Sequence, residues 1–497
     1  MRGFRRPATN TRCKCGHVNS RSPQHVVVVG GGVAGAAAAH RLCTLRPDLA
    51  VTVLEGSSRI GGKLAVAEVG GVVTDVGAEA ILARRPEGVD LARASGLDDD
   101  LVHPATTSAS LWTRGSMRPL PRSLMGVPPD VRSLGAVVSR AGLARAALDG
   151  VLPPRALAPD EDVSVGALVE ERLGREVVDR LVEPMLGGVY AGHARELSAR
   201  AAVPQLVAKL DGRHSLTGAA AAVMLASGTE RSDPREMASA TAGGPVFAGL
   251  VGGVGRLPGA ALGASGASVE TGAMVRRLTR TADGWLLEVG PTRAPRVVRC
   301  DAVVLATPAR PTARLLDAVA PMAARGLDGI EYASMAVITL AFSLSDLPDV
   351  PGSGFLVPPV EGRAVKGATY SFAKWPWVRA AGGDTLLLRC SIGRHREEHV
   401  LQVTDDELVD LALRDLADAV GLSVRPVDSH VQRWGGGLPQ YAVGHVARVA
   451  AVRRALEDVP GLAVCGAAYE GVGIPACIAS AHRAVDELLR SAETMEA

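Results

Sequence analysis

The 497 residues carry 47% hydrophobic and 21% charged side chains and a formal charge of +2, the profile of a globular chain long enough for two or more domains. That balance leaves no broad basic field for nucleic acid, and 3% aromatics leaves few stacking platforms for single strands. The longest uncharged run of apolar residues and glycine, residues 26–39, falls short of the roughly 17–25 residues that a membrane-spanning helix needs.

Residues 1–24 hold six cations and no acid, which turns the formal +2 of the whole chain into −4 for the rest; they read as a disordered basic tail. Seven cysteines, at 13, 15, 43, 300, 390, 465 and 477, are too scattered for a disulfide framework and point to a reducing cytoplasm. Cys13, Cys15 and His17 make half of a zinc-like cluster, but no second Cys or His pair follows at a usable spacing, so no metal is expected.

From His25 the character changes. Val26-Val27-Val28-Val29 is a β-branched run of the kind buried on both faces of a parallel sheet. Gly30-Gly31-Gly32-Val33-Ala34-Gly35 supplies G-x-G-x-x-G, residues 36–45 form an alanine-rich helix, and 51–54 form a second strand that ends at Glu55. In this βαβ context Gly30 permits the tight turn, Gly32 lets the backbone approach a pyrophosphate, and Gly35 lets helix and strand close up. The helix N-terminus faces the phosphates, and Glu55 accepts from a ribose diol. A dinucleotide site follows.

Between about 100 and 245 the sequence reads as largely helical. Val165, Leu168, Val169 and Leu173, then Val177, Val178, Leu181, Val182 and Met185, stand at helical spacing with Gly174 between them. Residues 227–244, rich in Ser, Gly, Ala and Thr, read as a loop. Strands are expected at 272–278, 285–289 and 301–305, then at 336–342 and 385–392, in a segment that also holds Tyr370, Phe372, Trp375 and Trp377. The end returns to α/β form, with a strand at 462–465, a glycine-spaced loop at 466–473 and a helix over 475–489 opened by Pro475.

Nicotinamide and flavin enzymes share the first glycine motif and the acid. Arg59-Ile60-Gly61-Gly62-Lys63 separates them, because it resembles the second glycine motif of the FAD-dependent amine oxidases, desaturases and porphyrinogen oxidases. Gly466-Ala467-Ala468-Tyr469-Glu470-Gly471-Val472-Gly473-Ile474-Pro475 resembles that superfamily's final flavin motif. There a helix N-terminus suits the negative charge of the reduced ring. The match narrows to the oxygen-dependent protoporphyrinogen and coproporphyrinogen III oxidases of haem biosynthesis. It is carried by Asp75-Val76-Gly77-Ala78-Glu79, Pro119-Leu120-Pro121 with Gly126-Val127-Pro128, Leu186-Gly187-Gly188-Val189-Tyr190-Ala191-Gly192 with Leu197-Ser198, and Gly437-Leu438-Pro439-Gln440-Tyr441-Ala442-Val443-Gly444-His445. The alanine-, arginine- and glycine-rich composition resembles that of a GC-rich actinobacterial genome, and the soluble porphyrinogen oxidases of that group resemble coproporphyrinogen III oxidases, which makes coproporphyrin III the expected product.

The resemblance implies an α/β (α+β overall) molecule: a Rossmann-type FAD domain built from discontinuous segments (25–84, 246–311 and 437–497), a mixed-sheet substrate domain (85–110 and 312–436), and a helical subdomain (111–245). It implies non-covalent FAD contacts from Gly30, Gly31, Gly32, Val33, Ala34, Gly35, Glu55, Arg59, Gly61, Gly62 and Lys63. Further contacts are implied from Gly77, Ala78, Glu79 and Ala80, from Val275 near the adenine, and from Ala467, Val472, Gly473 and Ile474 at the ring. The family loop commonly reads G-P followed by Asp or Asn and Ser, so the departure at 78–80 leaves backbone contacts as the expected ones.

The implied reaction removes six electrons from a porphyrinogen, with hydride passing from a meso carbon to flavin N5 and oxygen leaving as hydrogen peroxide. It needs no catalytic triad, metal or obligatory protein base, and Tyr441 and His445 read as packing residues. The substrate is broad, apolar and edged with propionates, which calls for an apolar slot with cationic ends. Arg84 or Arg85, Arg118, and Lys374 beside Tyr370 are the candidates for those ends. The product is expected to pass to a ferrochelatase. The chain is expected in the cytoplasm, with at most weak peripheral membrane contact through the apolar residues 216–226.

Overall fold

The computed structural model describes residues 24–210, 215–226 and 245–496. The basic tail, with its Cys13, Cys15 and His17, and the 227–244 loop lie outside the described residues. Five parallel strands form the first sheet, in the order Ser268–Glu270, Ala50–Leu54, His25–Val29, Ala302–Leu305, Leu462–Val464. Three distant stretches of the chain thus supply one sheet.

The valine run explains why this sheet sits at the centre. Val26 and Val28 enter one core with the helix Val33–Leu45, and Val27 and Val29 enter the other. The alanines at 36–39 are fully buried, which lets that helix lie close to Leu257–Ser265 and to the long C-terminal helix Ile474–Glu496. The opposite face carries the antiparallel meander Val275–Thr281, Gly284–Val289, Arg296–Cys300 and the helices Ala309–Leu316, Pro321–Asp328 and His445–Glu457. Helix Pro86–Ala94, assigned from the sequence to the start of the substrate domain, instead packs Leu91 and Ala92 into the first of these cores.

A seven-stranded mixed sheet forms the second body, in the order Asp428–Pro439, Tyr332–Ser343, Thr385–Ile392, Val365–Thr369, Gly354–Leu356, Ser110–Thr113, Ser116–Pro119. Helix Asp405–Val420, opened by a Thr404/Glu407 capping box, covers one face. One expectation is corrected here. Residues 110–119 are a β-hairpin rather than helical text, because Arg114 and Gly115 both take positive φ, as a tight hairpin turn requires. Residues 428–439, where no strand is expected from the sequence, form a long edge strand held by its pairing with Tyr332–Ser343.

The helical region contains Arg140–Ala147, Val165–Leu173 and a run from Arg175 to Tyr190 that includes one π-helical segment, Val178–Val182. Gly174 does separate two helices, at φ +90°. The buried Asp149 accepts from Arg172 and from the Leu216 and Thr217 amides, fixing the start of helix Leu216–Ala226. Among the described residues, no helix is long and apolar enough to cross a membrane.

Candidate functional site

The two glycine loops meet. Gly30 turns at φ +109°, and a methyl at Gly35 would overlap the Gly30 carbonyl oxygen, so the turn closes only with glycine at that point. Gly32 ends in extended geometry as the N-cap of helix Val33–Leu45, with no side-chain cap, which leaves the amides of the first helical turn open to an anion. Gly61 bridges to Gly32 through a hydrogen bond from its amide to the Gly31 carbonyl at 2.8 Å, and a Cβ at Gly62 would lie 3.2 Å from the Gly32 Cα. Arg59 donates to the Gly62 carbonyl at 2.8 Å and lies over the Trp434 ring.

Glu55 stands at the end of its strand as expected. One carboxylate oxygen accepts from the Gly31 amide and the other from the Ser57 amide, each at 2.7 Å, which aims the partly buried carboxylate while leaving lone pairs for a diol. Val275 pairs with Val289 beside this end of the sheet. Lys63 is enclosed beside Cys477, and burial lowers its pKa; no carboxylate ion pair holds it among the described residues. A cradle that only glycine fits, an uncapped helix start and an enclosed ammonium together fit a dinucleotide diphosphate.

The loop after Asp75 is pinned along its whole length. Asp75 accepts from the Val254 and Gly255 amides, and its burial pushes its pKa up to about 6. The Val76 carbonyl accepts from the Trp434 indole at 3.1 Å, and the Gly77 carbonyl from Arg389 at 2.5 Å. A Cβ at Gly77 would overlap the Lys63 carbonyl. Glu79 is held by Lys374 at 2.5 Å and by Arg389 at 2.8 Å. Burial alone would raise the Glu79 pKa; the two cations win and hold it at about 2. Ala78 and Ala80 complete the loop, Ala80 packing beside Trp375.

Glu79 therefore spends its side chain on two cations, and Lys374 spends its charge on Glu79. Tyr370 is buried in an aromatic set with Phe355 and Phe372. Arg85 pairs with Glu87, while Arg84 is exposed. Arg118, on strand Ser116–Pro119, keeps a buried Nε with no hydrogen-bond partner. Arg389, Trp434 and Asp75 were not singled out as side-chain contributors. Only Arg389 carried a signal, as the lone charge inside the apolar strand Thr385–Ile392.

The carboxy-terminal motif closes the site. Tyr441 donates to the Ala467 carbonyl at 2.5 Å and stacks on His445 at 4.0 Å, and His445 Nε2–H donates to the Tyr469 carbonyl at 3.2 Å. Burial pushes the His445 pKa down to about 4, so the ring is neutral. Val472 packs against the helical core, and Gly473 and Ile474 begin the C-terminal helix beside it. Gln440 donates to the Tyr190 carbonyl at 2.8 Å, tying this motif to the helical region. Among the described residues no group of three or more His, Cys, Asp or Glu could hold a metal ion.

Comparison with known proteins places this geometry. The flavin-containing amine oxidoreductase profile matches residues 33–489. The coproporphyrinogen III oxidase of Mycobacterium leprae is 37% identical, covering 93% of this chain and 97% of its own. The coproporphyrinogen III oxidase of Mycobacterium tuberculosis H37Rv is 35% identical, covering 96% and 100%. A crystal structure of a candidate protoporphyrinogen oxidase from an Exiguobacterium species superposes with a TM-score of 0.79 at 28% identity, over 94% of this chain and 99% of that one.

Proposed function

Because the chain belongs to the flavin-containing amine oxidoreductase family and resembles coproporphyrinogen III oxidases over nearly its whole length, we propose that it oxidises coproporphyrinogen III to coproporphyrin III. FAD is the cofactor, oxygen the final acceptor and hydrogen peroxide the by-product, and the product passes to a ferrochelatase in the cytoplasm. The observation that supports the reading most is the 35–37% identity to enzymes of that name, joined to a glycine cradle built for a dinucleotide.

Bound FAD supplies the hydride acceptor. The protein's share is positioning. The first helical turn and Lys63 hold the diphosphate, Glu55 holds the ribose, and Ala467 to Ile474 meet the ring. The clamp of Arg389, Lys374, Trp434 and the Val254 and Gly255 amides keeps the 75–80 loop rigid against it. Tyr441 and His445 are committed to backbone carbonyls and serve that packing. Among the cations considered for the propionates, Arg118 is the one with a buried donor left open, and Arg84 is exposed; Lys374 and Arg85 already face carboxylates. A second reading, the same chemistry on protoporphyrinogen IX, is favoured by the Exiguobacterium structure.

Anaerobic addition of coproporphyrinogen III to the FAD-loaded protein is expected to bleach the flavin absorbance near 450 nm, with coproporphyrin fluorescence growing in step. Flavin that stays oxidised would leave a tetrapyrrole carrier and overturn the enzyme reading.

A further inference from the structure

Strand Val365–Thr369 lies inside the seven-stranded sheet, and its register slips between Val365 and Gly367: Val365 stands opposite Ile392, and Gly367 opposite Ser391. Lys366 is the extra residue of that bulge, a device that re-aims a side chain. It is 4% exposed, and its ammonium has no hydrogen bond and no ion pair among the described residues.

A second cation joins it. Arg394, 6% exposed, directs Nη2 at the Val357 carbonyl at 3.5 Å, and the Val357 amide donates to the Lys366 carbonyl at 2.7 Å, so both residues converge on Val357. Gly393, at φ +98°, makes the turn before Arg394, and the His395 amide fixes that turn by donating to the Ala191 carbonyl at 2.7 Å. Neighbouring carboxylates are committed elsewhere. Glu397 stands 3.8 Å from Arg394 and 3.9 Å from His193, with its side chain 43% exposed. Glu183 accepts from the Ala194 amide, and Asp415 accepts from the Val365 amide and faces Arg363. Two buried cations are thus left without a carboxylate in hydrogen-bond contact. Burial, and then the like charge of Arg394, lower the Lys366 pKa to about 7. Buried charges are normally paired, so this arrangement fits an anion that arrives from outside.

Helix Glu183–Tyr190 packs across this strand and its neighbour Gly354–Leu356. On that helix Gly188 and Val189 are exposed, and Gly188 lies against Leu356. At its end Gln440 donates to the Tyr190 carbonyl, and the Tyr190 and Tyr441 rings stand 5.6 Å apart. One helix, about 12 Å long, therefore touches the strand of Lys366, carries open apolar surface and ends at the segment that precedes the carboxy-terminal glycine motif. An anion with a broad apolar body uses all of these features; an inorganic anion uses the cations alone.

We propose that Lys366 and Arg394 form a buried carboxylate site that takes one propionate of the porphyrinogen, with the macrocycle lying along the open face of helix Glu183–Tyr190. The inference rests on the porphyrinogen reading and deepens it by naming a cation pair for one propionate. Lys366 supplies a point charge, and Arg394 a planar fork of donors.

The test measures coproporphyrin III binding, by quenching of protein fluorescence, and steady-state kinetics on coproporphyrinogen III in wild type, Lys366→Met and Arg394→Met, with flavin content and melting temperature alongside. Each variant is expected to weaken coproporphyrin III binding tenfold or more and to raise KM by a similar factor, with kcat within twofold. Without ligand, Lys366→Met is expected to melt no lower than wild type, because it removes a buried charge that has no internal partner. A marked drop in that melting temperature makes the ammonium a structural group and overturns the site. Coproporphyrin III binding within twofold of wild type in both variants also overturns it. Sulfate that stabilises wild type as much as coproporphyrin III does, while porphyrin binding is unchanged in the variants, assigns the pair to an inorganic anion and overturns the propionate. Should one variant lose its fold, the other decides. A wild type that neither binds coproporphyrin III nor oxidises either porphyrinogen overturns the porphyrinogen reading itself, an outcome separate from any effect of the variants.

Discussion

A methyl group at Gly35 would overlap the Gly30 carbonyl, whereas a methyl at Gly32 would meet nothing nearer than the Gly62 Cα at 3.9 Å. The two glycines therefore fail differently. Gly35→Ala is expected to disrupt the turn and lower the yield of folded protein. Gly32→Ala is expected to fold with a melting temperature near wild type while retaining less than a tenth of the bound flavin, because its methyl fills the space the diphosphate approaches. Full flavin occupancy in Gly32→Ala, read as the 450 to 280 nm absorbance ratio, would contradict the cradle. These glycines were legible in the sequence because strand, turn, helix and acid fall within about 30 consecutive residues. The clamp on Glu79 was not: Lys374 and Arg389 lie 295 and 310 residues away, and no local pattern encodes such a pairing. That is why Lys374 read as a free cation for substrate, whereas the burial of Tyr370 agrees with its place in an aromatic cluster, which is usually core.

At the scale of elements, helix His445–Glu457 starts at a histidine that its surroundings keep neutral. The ring is stacked on Tyr441, donates to the Tyr469 carbonyl, and sits in the first turn, where the helix dipole disfavours a cation. Its folded pKa of about 4 lies below the ordinary 6.5, so between those values the unfolded chain binds a proton that the folded chain refuses. Stability is thus fully present above pH 6.5 and is lost as pH falls towards 4, by up to about 3 kcal/mol from this group. His445→Gln keeps a donor without the titration. Denaturant midpoints at pH 7 and pH 4.5 are expected to differ less in the variant than in the wild type, and parallel losses would refute the assignment. Elements were legible where one period ran long enough. Thr385–Ile392 matches its expected bounds because its apolar residues are interrupted only by Arg389 and Ser391, whereas Asp428–Pro439, with three glycines and mostly half-buried residues, becomes a strand only through its partner Tyr332–Ser343. The hairpin 110–119 was hidden because each strand is only four residues long.

Across the whole molecule, the site exists only where distant segments converge. The parallel sheet takes strands from three stretches of chain, and the 75–80 loop is clamped by side chains of the mixed sheet. Gln440 and Val472 join the carboxy-terminal glycine motif to the helical region. Family resemblance made the platform legible; the clamp that ties the 75–80 loop to the mixed sheet had no linear signature. The most direct measurement is a side-by-side aerobic assay of the FAD-loaded protein on coproporphyrinogen III and protoporphyrinogen IX, following porphyrin fluorescence against enzyme-free autoxidation. The resemblance to coproporphyrinogen III oxidases predicts a clear preference in kcat/KM for coproporphyrinogen III; rates on coproporphyrinogen III no faster than autoxidation would contradict it.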